Sequence, residues 1–180
     1  MSAQSGNRLP GGGARQLVRS QAVTAWRFWE TDEFDGRLLL TSPFRSMPWP
    51  PGRALEAECF ALELRQGKAA ARHAAPGETC RCGVYGGSYR SLRQSLRASL
   101  SRMTFVPVIG RVQLWGTVRA DGGGWRASLA YPEQLLIPTF ARCADRLADE
   151  LRVYDVPVDL LDVRETFSAL SPGARLRTAR

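Results

Sequence analysis

The chain has 180 residues, a formal net charge of +8 and a sequence pI near 10.2. Its length suits one domain that buries its own core, and no run approaches the ~18 consecutive apolar residues that a membrane-spanning helix needs. Met1 to Ser20 carries no continuous apolar stretch of the kind that opens a secretory signal. Four cysteines are too few for a secreted disulfide scaffold, so a reducing, cytoplasmic setting is expected, with no membrane partner. The basic balance invites a nucleic-acid partner. Lys68 is the only lysine, however, and a chain rich in arginine, alanine and glycine is also what GC-rich coding produces.

Residues 1–21, with Gly11-Gly12-Gly13 beside Pro10, read as a flexible leader. The triple glycine is no phosphate loop, because no Gly-Lys-Ser/Thr follows it. Order is expected from Val23, in a single domain over residues 22–168. Ala25 to Glu30 and Arg37 to Leu40 make two strands around an Asp35-Gly36 turn. Pro43, Pro48, Pro50 and Pro51 around Trp49 predict an extended loop over Ser42 to Gly52. Ala54 to Leu64 is compatible with a strand or a short helix, and His73 to Gly87 reads as irregular. Trp26, Trp29 and Trp49 are candidates for a ligand pocket or, the preferred reading, for core packing.

Ser88 to Met103 predicts a helix capped by Ser88, because Tyr89, Leu92, Leu96, Leu100 and Met103 fall within a wedge of about 80°. Arg90, Arg93 and Arg97 flank that stripe and are the candidate contacts for an anion or nucleic acid. Val108 to Val118 and Trp125 to Tyr131 form a hairpin around Asp121 to Gly124. A second helix is expected over Phe140 to Leu151, with Cys143 on its apolar face, then an edge strand near Val156 to Leu160. Residues 169–180 read as a basic, flexible tail.

Most of the chemistry falls between Cys59 and Tyr85. Cys59, His73, Cys80 and Cys82 supply three thiols and an imidazole, a ligand inventory that suits structural zinc in a metal loop over residues 59–87. Pro76-Gly77 and Gly83 let the backbone bend around an ion. Cys80 and Cys82 stand one residue apart, closer than in common zinc knuckles. Cys143 is a rival fourth ligand, set aside because its helical phase reads as a small buried hydrophobe. An iron–sulfur cluster or a redox-thiol role competes with zinc, since cysteines with one histidine serve those too.

Three thiolates and a histidine fill a tetrahedron, which leaves no open position for Lewis-acid catalysis. Glu58 and Glu78 neighbour ligands and are the acids that could act as bases if a ligand were displaced. The zinc-deaminase signature is absent, because Ala74 and Ala75 follow His73. The run Gly83-x-x-Gly86-Gly87-Ser88 could offer amides to an anion at the helix start, although a simple glycine-rich helix entry is preferred.

Several segments together carry a resemblance: Trp49 to Arg53 (WPPGR), Ala57 to Cys59 (AEC), His73 to Pro76 (HAAP), Cys80 to Tyr85 (CRCGVY), Gly110 to Val118 (GRVQLWGTV) and Gly124 to Pro132 (GWRASLAYP). On these the chain resembles a set of actinobacterial proteins of similar size with no established activity, over roughly Ala25 to Leu160. The resemblance implies that the cysteine–histidine cluster belongs with the rest of the domain.

The expected fold is α+β, a mostly antiparallel sheet or small barrel with two packed helices and a Cys/His metal loop. The expected function is a non-enzymatic, zinc-stabilised binding or adaptor domain that meets a protein or nucleic acid through its arginine-rich flank, with no catalytic residues assigned. The alternative is a small-molecule binder or enzyme with a pocket between the tryptophan-bearing hairpins and the metal loop.

Overall fold

The structure is a computed structural model that describes residues 18–19, 21–43, 45–59, 73–99, 107–141 and 143–162. Nine strands, two α-helices and one 3-10 turn occur among these residues, an α+β fold with a mostly antiparallel sheet. The strands are β1 (Val18–Arg19), β2 (Val23–Phe34), β3 (Arg37–Ser42), β4 (Arg45–Pro48), β5 (Leu55–Glu56), β6 (Val84–Gly87), β7 (Val108–Asp121), β8 (Gly124–Pro138) and β9 (Val158–Leu161). Helix α1 spans Tyr89–Ser99 and α2 spans Ala144–Leu151, the latter running into the 3-10 turn Arg152–Tyr154.

Two hairpins organise the sheet. In the first, Phe34 pairs with Arg37 across Asp35 and Gly36, whose φ angles of 50° and 73° are those of a tight hairpin turn. The second joins β7 to β8 from Ile109↔Leu136 down to Asp121↔Gly124. β7 also pairs with β2 from Val23↔Leu114 to Trp29↔Val108. On its other edge β8 carries three short strands in succession: β6 at residues 124–127, β5 at 129–130 and β9, in parallel, at 135–138. β6 then meets β2 through Trp26↔Gly87, so β2, β7, β8 and β6 close into a ring. The sheet is thus curled as a small barrel.

Alternation along these strands fills the interior. Val108, Val112, Leu114 and Val118 of β7 are fully buried with Ala127, Ala130, Leu135 and Ile137 of β8. Trp29 and Trp49 meet edge to face in the same core, ring centroids 5.5 Å apart, with Leu40, Leu151 and Tyr154 nearby in the cluster. α1 covers another part of the sheet, where Leu92 and Leu96 join Phe28, Ile109, Leu136 and Leu161 in a second buried cluster. Ser88 caps α1 by accepting a hydrogen bond from the Ser91 amide at 3.1 Å. Leu100 and Met103, expected on the same stripe, lie outside the described residues.

Several expectations need correction. A flexible leader over residues 1–21 is too long at its end, because Val18 and Arg19 pair with Arg119 and Val118 of β7. The proline-rich segment contains a strand, β4, tolerated at the edge of β3 with Pro48 at its end. The irregular segment before α1 ends in β6. Gly86 belongs there because a Cβ would meet Ala25 at 2.7 Å and Val112 at 3.0 Å inside the closed ring. β8 continues through Pro132, where Val112 pairs with Pro132 and Arg111 with Gln134, so Glu133 is an extra residue in a bulge. α2 starts at Ala144, not Phe140. Cys143 is its exposed N-terminal flank, at φ 60°, and not a buried member of its apolar face. The tail at 169–180 lies outside the described residues.

Candidate metal centre and adjoining cavity

Cys59 follows β5, while His73, Cys80 and Cys82 lie on the loop that leads into β6. Their ligand atoms all lie within 4.8 Å of one another. Cys59 Sγ is 3.7 Å from Cys80 Sγ, and His73 Nε2 is 3.2 Å from Cys82 Sγ. Bonds of ~2.3 Å to sulfur and ~2.1 Å to nitrogen give tetrahedron edges of about 3.8 Å (S–S) and about 3.6 Å (N–S). The cluster is therefore capable of holding a single metal ion. Cys143 is not among the four.

Local backbone makes the convergence possible. The Gly77 amide donates to Cys82 Sγ at 3.1 Å, the kind of bond that stabilises a thiolate. A Cβ on Gly77 would lie 2.4 Å from His73 Nε2 and 3.1 Å from the Cys80 Cβ, so the imidazole reaches the cluster only over glycine. Burial pushes the Cys80 thiol up, but hydrogen bonds from the Cys82 backbone and the Cys59, Cys82 and His73 side chains outweigh it and bring Cys80 to about 7. Burial pushes the Cys82 thiol up, only partly offset by the Gly77 amide.

The β7–β8 hairpin clamps this loop from below with two cross-strand neighbours, Arg119 and Arg126. Arg126 is 2% exposed. Its Nη1 donates to the carbonyl oxygens of Gly77 at 3.3 Å, Cys80 at 2.5 Å and Cys82 at 2.9 Å. Its Nε lies 3.0 Å from the Asp121 carboxylate. Arg119 Nε donates to the Pro76 carbonyl at 3.1 Å. Sequence reasoning missed both residues, because nothing in the local pattern separates them from the other arginines of a basic chain.

A cavity of about 520 Å³ opens beside the loop. Arg81, Cys82 and Gly83 form one wall, β2 and β6 the floor, α1 a second wall, and Trp125 with Gly122 and Gly124 the hairpin end. Trp26 lines it and packs edge to face on Tyr89 at 5.5 Å, while Trp29 and Trp49 are core residues. A pocket does lie between the tryptophan-bearing hairpins and the loop, but Trp26 and Trp125 face it.

The remaining candidates are dispersed. Arg90 is exposed and Arg93 half-buried on α1, and the Arg97 side chain lies outside the described residues. Glu58 and Glu78 are exposed, Glu58 on the cavity rim. Gly86 and Gly87 are strand residues paired with Trp125 and Gly124, so they form no phosphate-cradling loop. No helix among the described residues is long and apolar enough to cross a membrane. The chain matches no protein-family model, and comparison with curated proteins and with solved structures finds no match.

Proposed function

We propose that this chain is a non-enzymatic binding domain clasped by one structural zinc ion, held by Cys59, His73, Cys80 and Cys82. The observation that carries the reading is the convergence of four soft or borderline ligand atoms within 4.8 Å. A set this tight suits one ion. An iron–sulfur cluster, with its ligands spread over more than one iron, would hold them farther apart. Three thiolates and an imidazole complete a tetrahedron, which favours a folding role over Lewis-acid chemistry. A reducing cytoplasm would keep Cys59, Cys80 and Cys82, none of them in a disulfide, available as ligands. Elemental analysis of the purified full chain tests this: one zinc per chain and a colourless solution are expected. Visible charge-transfer bands with bound iron, or no metal at all, would overturn it.

As to what the domain binds, the cavity favours a small molecule over the arginine-rich flank. The clasp supplies one wall of a concave, mainly apolar space of a size that suits small ligands. The flank offers Arg90 and Arg93 on a single helix. A salt titration separates the two: polyanion binding through arginines fades steeply with added salt, whereas apolar filling of the cavity is nearly indifferent.

A further inference from the structure

Among the charged side chains that line the cavity, Arg27 stands apart. Glu56, Glu58 and Arg81 are exposed and solvated, and Asp121 is paired with Arg126. Arg27 is partly withdrawn from water, its Nε fully enclosed and without a hydrogen-bond partner, and no carboxylate among the described residues pairs with it. Its Nη1 donates to the Tyr85 carbonyl at 2.5 Å and its Nη2 to Ser42 Oγ. These two bonds use two of the five N–H donors of a guanidinium. The guanidinium carbon lies 5.1 Å from the Trp49 ring and 6.0 Å from the Trp29 ring, so aromatic faces offset part of its desolvation. Burial without a counter-charge still lowers its pKa to about 10. A fixed, desolvated cation beside a concave, mainly apolar space is stabilised most by an anion bound in that space.

We infer that the cavity is a binding site for a largely apolar organic anion, with Arg27 as its counter-charge. Trp26, Phe28, Leu92 and Trp125 supply the apolar surface for the body of the ligand. Its single carboxylate, sulfonate or phosphate group turns toward β2, where the Arg27 guanidinium is already held by the Tyr85 carbonyl and Ser42 Oγ. The exposed Glu56 and Glu58 at the rim disfavour ligands with several negative charges. This inference rests on the cavity reading above and adds the chemistry of the ligand to it.

Fluorescence titration of the folded full chain with two probes of similar shape provides the test: 1-anilinonaphthalene-8-sulfonate, an anion, and neutral N-phenyl-1-naphthylamine. The expected result is saturable binding of both, with the sulfonate favoured. Arg27→Met should weaken the sulfonate by about tenfold or more, the worth of a hydrogen-bonded charge, and change the neutral probe by less than about twofold. Ser95→Trp, which places a large ring at the exposed α1 rim of the cavity, should weaken both probes. Equal affinity of the two probes for the native chain overturns the anion assignment while leaving the cavity reading intact, and needs no variant to fold. Equal losses of both probes in Arg27→Met overturn it in the same way. Failure of both probes to bind, or binding unaffected by Ser95→Trp, overturns the cavity reading and the assignment with it.

Discussion

Arg126 donates from one guanidinium nitrogen to the backbone carbonyls of both Cys80 and Cys82, at 2.5 and 2.9 Å. The two cysteines of a one-residue spacing are thus oriented from beneath by a single buried cation that belongs to another part of the chain. The ion pair with Asp121 holds that cation in place. Arg126→Met is expected to weaken metal binding by about 10- to 100-fold, the usual effect of losing an outer partner of a ligand. It should also lower stability by about 2–4 kcal/mol, because Asp121 and three loop carbonyls lose their partner. Arg126→Lys should not restore the affinity, since one ammonium at the end of a flexible stem cannot serve Asp121 and the loop together. Competition with a chromophoric chelator and a thermal melt measure the two effects separately.

The clasp itself predicts an asymmetry among the cysteines. Cys80→Ser or Cys82→Ser should release metal and lower the melting temperature by well over ~5 °C, because metal-binding free energy is folding free energy in such a loop. Cys143→Ser should retain the metal, its thiol being exposed and outside the cluster. Gly77→Ala should resemble loss of His73, since its Cβ would stand 2.4 Å from His73 Nε2. Metal content after dialysis against a mild chelator, compared across the four variants, checks the pattern.

Cys143 offers a stabilising change. It flanks the N-terminus of α2 at φ 60° and ψ 38° with no side-chain capping bond. Asparagine tolerates the left-handed region better than cysteine and is a preferred residue at helix N-termini. Cys143→Asn should therefore raise stability by about 0.5–1 kcal/mol in urea unfolding, with metal content unchanged.

The legible parts of this fold were those with a local cause. Asp35-Gly36 dictates its turn, Ser88 caps α1, and the period of Leu92 and Leu96 marks the face that the sheet covers. The four-ligand set could be proposed from residue type alone, because few other roles need three thiols and one imidazole so close together. What escaped was set by distant partners. Gly86-Gly87 looks like a loop until Ala25 and Val112 are seen pressing on the place of a side chain. Pro132 looks like a strand end until the bulge at Glu133 accommodates it. Helical periodicity extended α2 too far back and so gave Cys143 the wrong environment, although its exclusion from the ligand set agrees with the geometry. Arg27 and Arg126 acquire their meaning from what lies across the sheet, and no spacing rule points to either.

Tyr154 joins parts of the chain more than a hundred residues apart, and its titration is a measurable consequence. The ring is fully buried; its hydroxyl donates to the Trp49 carbonyl at 2.8 Å and accepts from the Leu40 amide at 2.9 Å. Burial pushes its pKa up to about 12, the Leu40 amide pulling only partly the other way. Between about pH 10, where an unfolded tyrosine ionises, and about pH 12 the folded chain binds more protons than the unfolded one, so stability falls as pH rises through that window. Two pH units correspond to a loss of up to about 3 kcal/mol, fully restored below pH 10. Tyr154→Phe should be less stable at neutral pH by about 1–3 kcal/mol, because the Leu40 amide and the Trp49 carbonyl are left unpaired in the core. The same variant should lose the part of the alkaline decline that Tyr154 contributes. Urea unfolding of both proteins from pH 8 to 11.5 checks this: their stability difference should narrow as pH rises above 10, and a difference constant with pH would show that Tyr154 titrates like a solvent-exposed tyrosine.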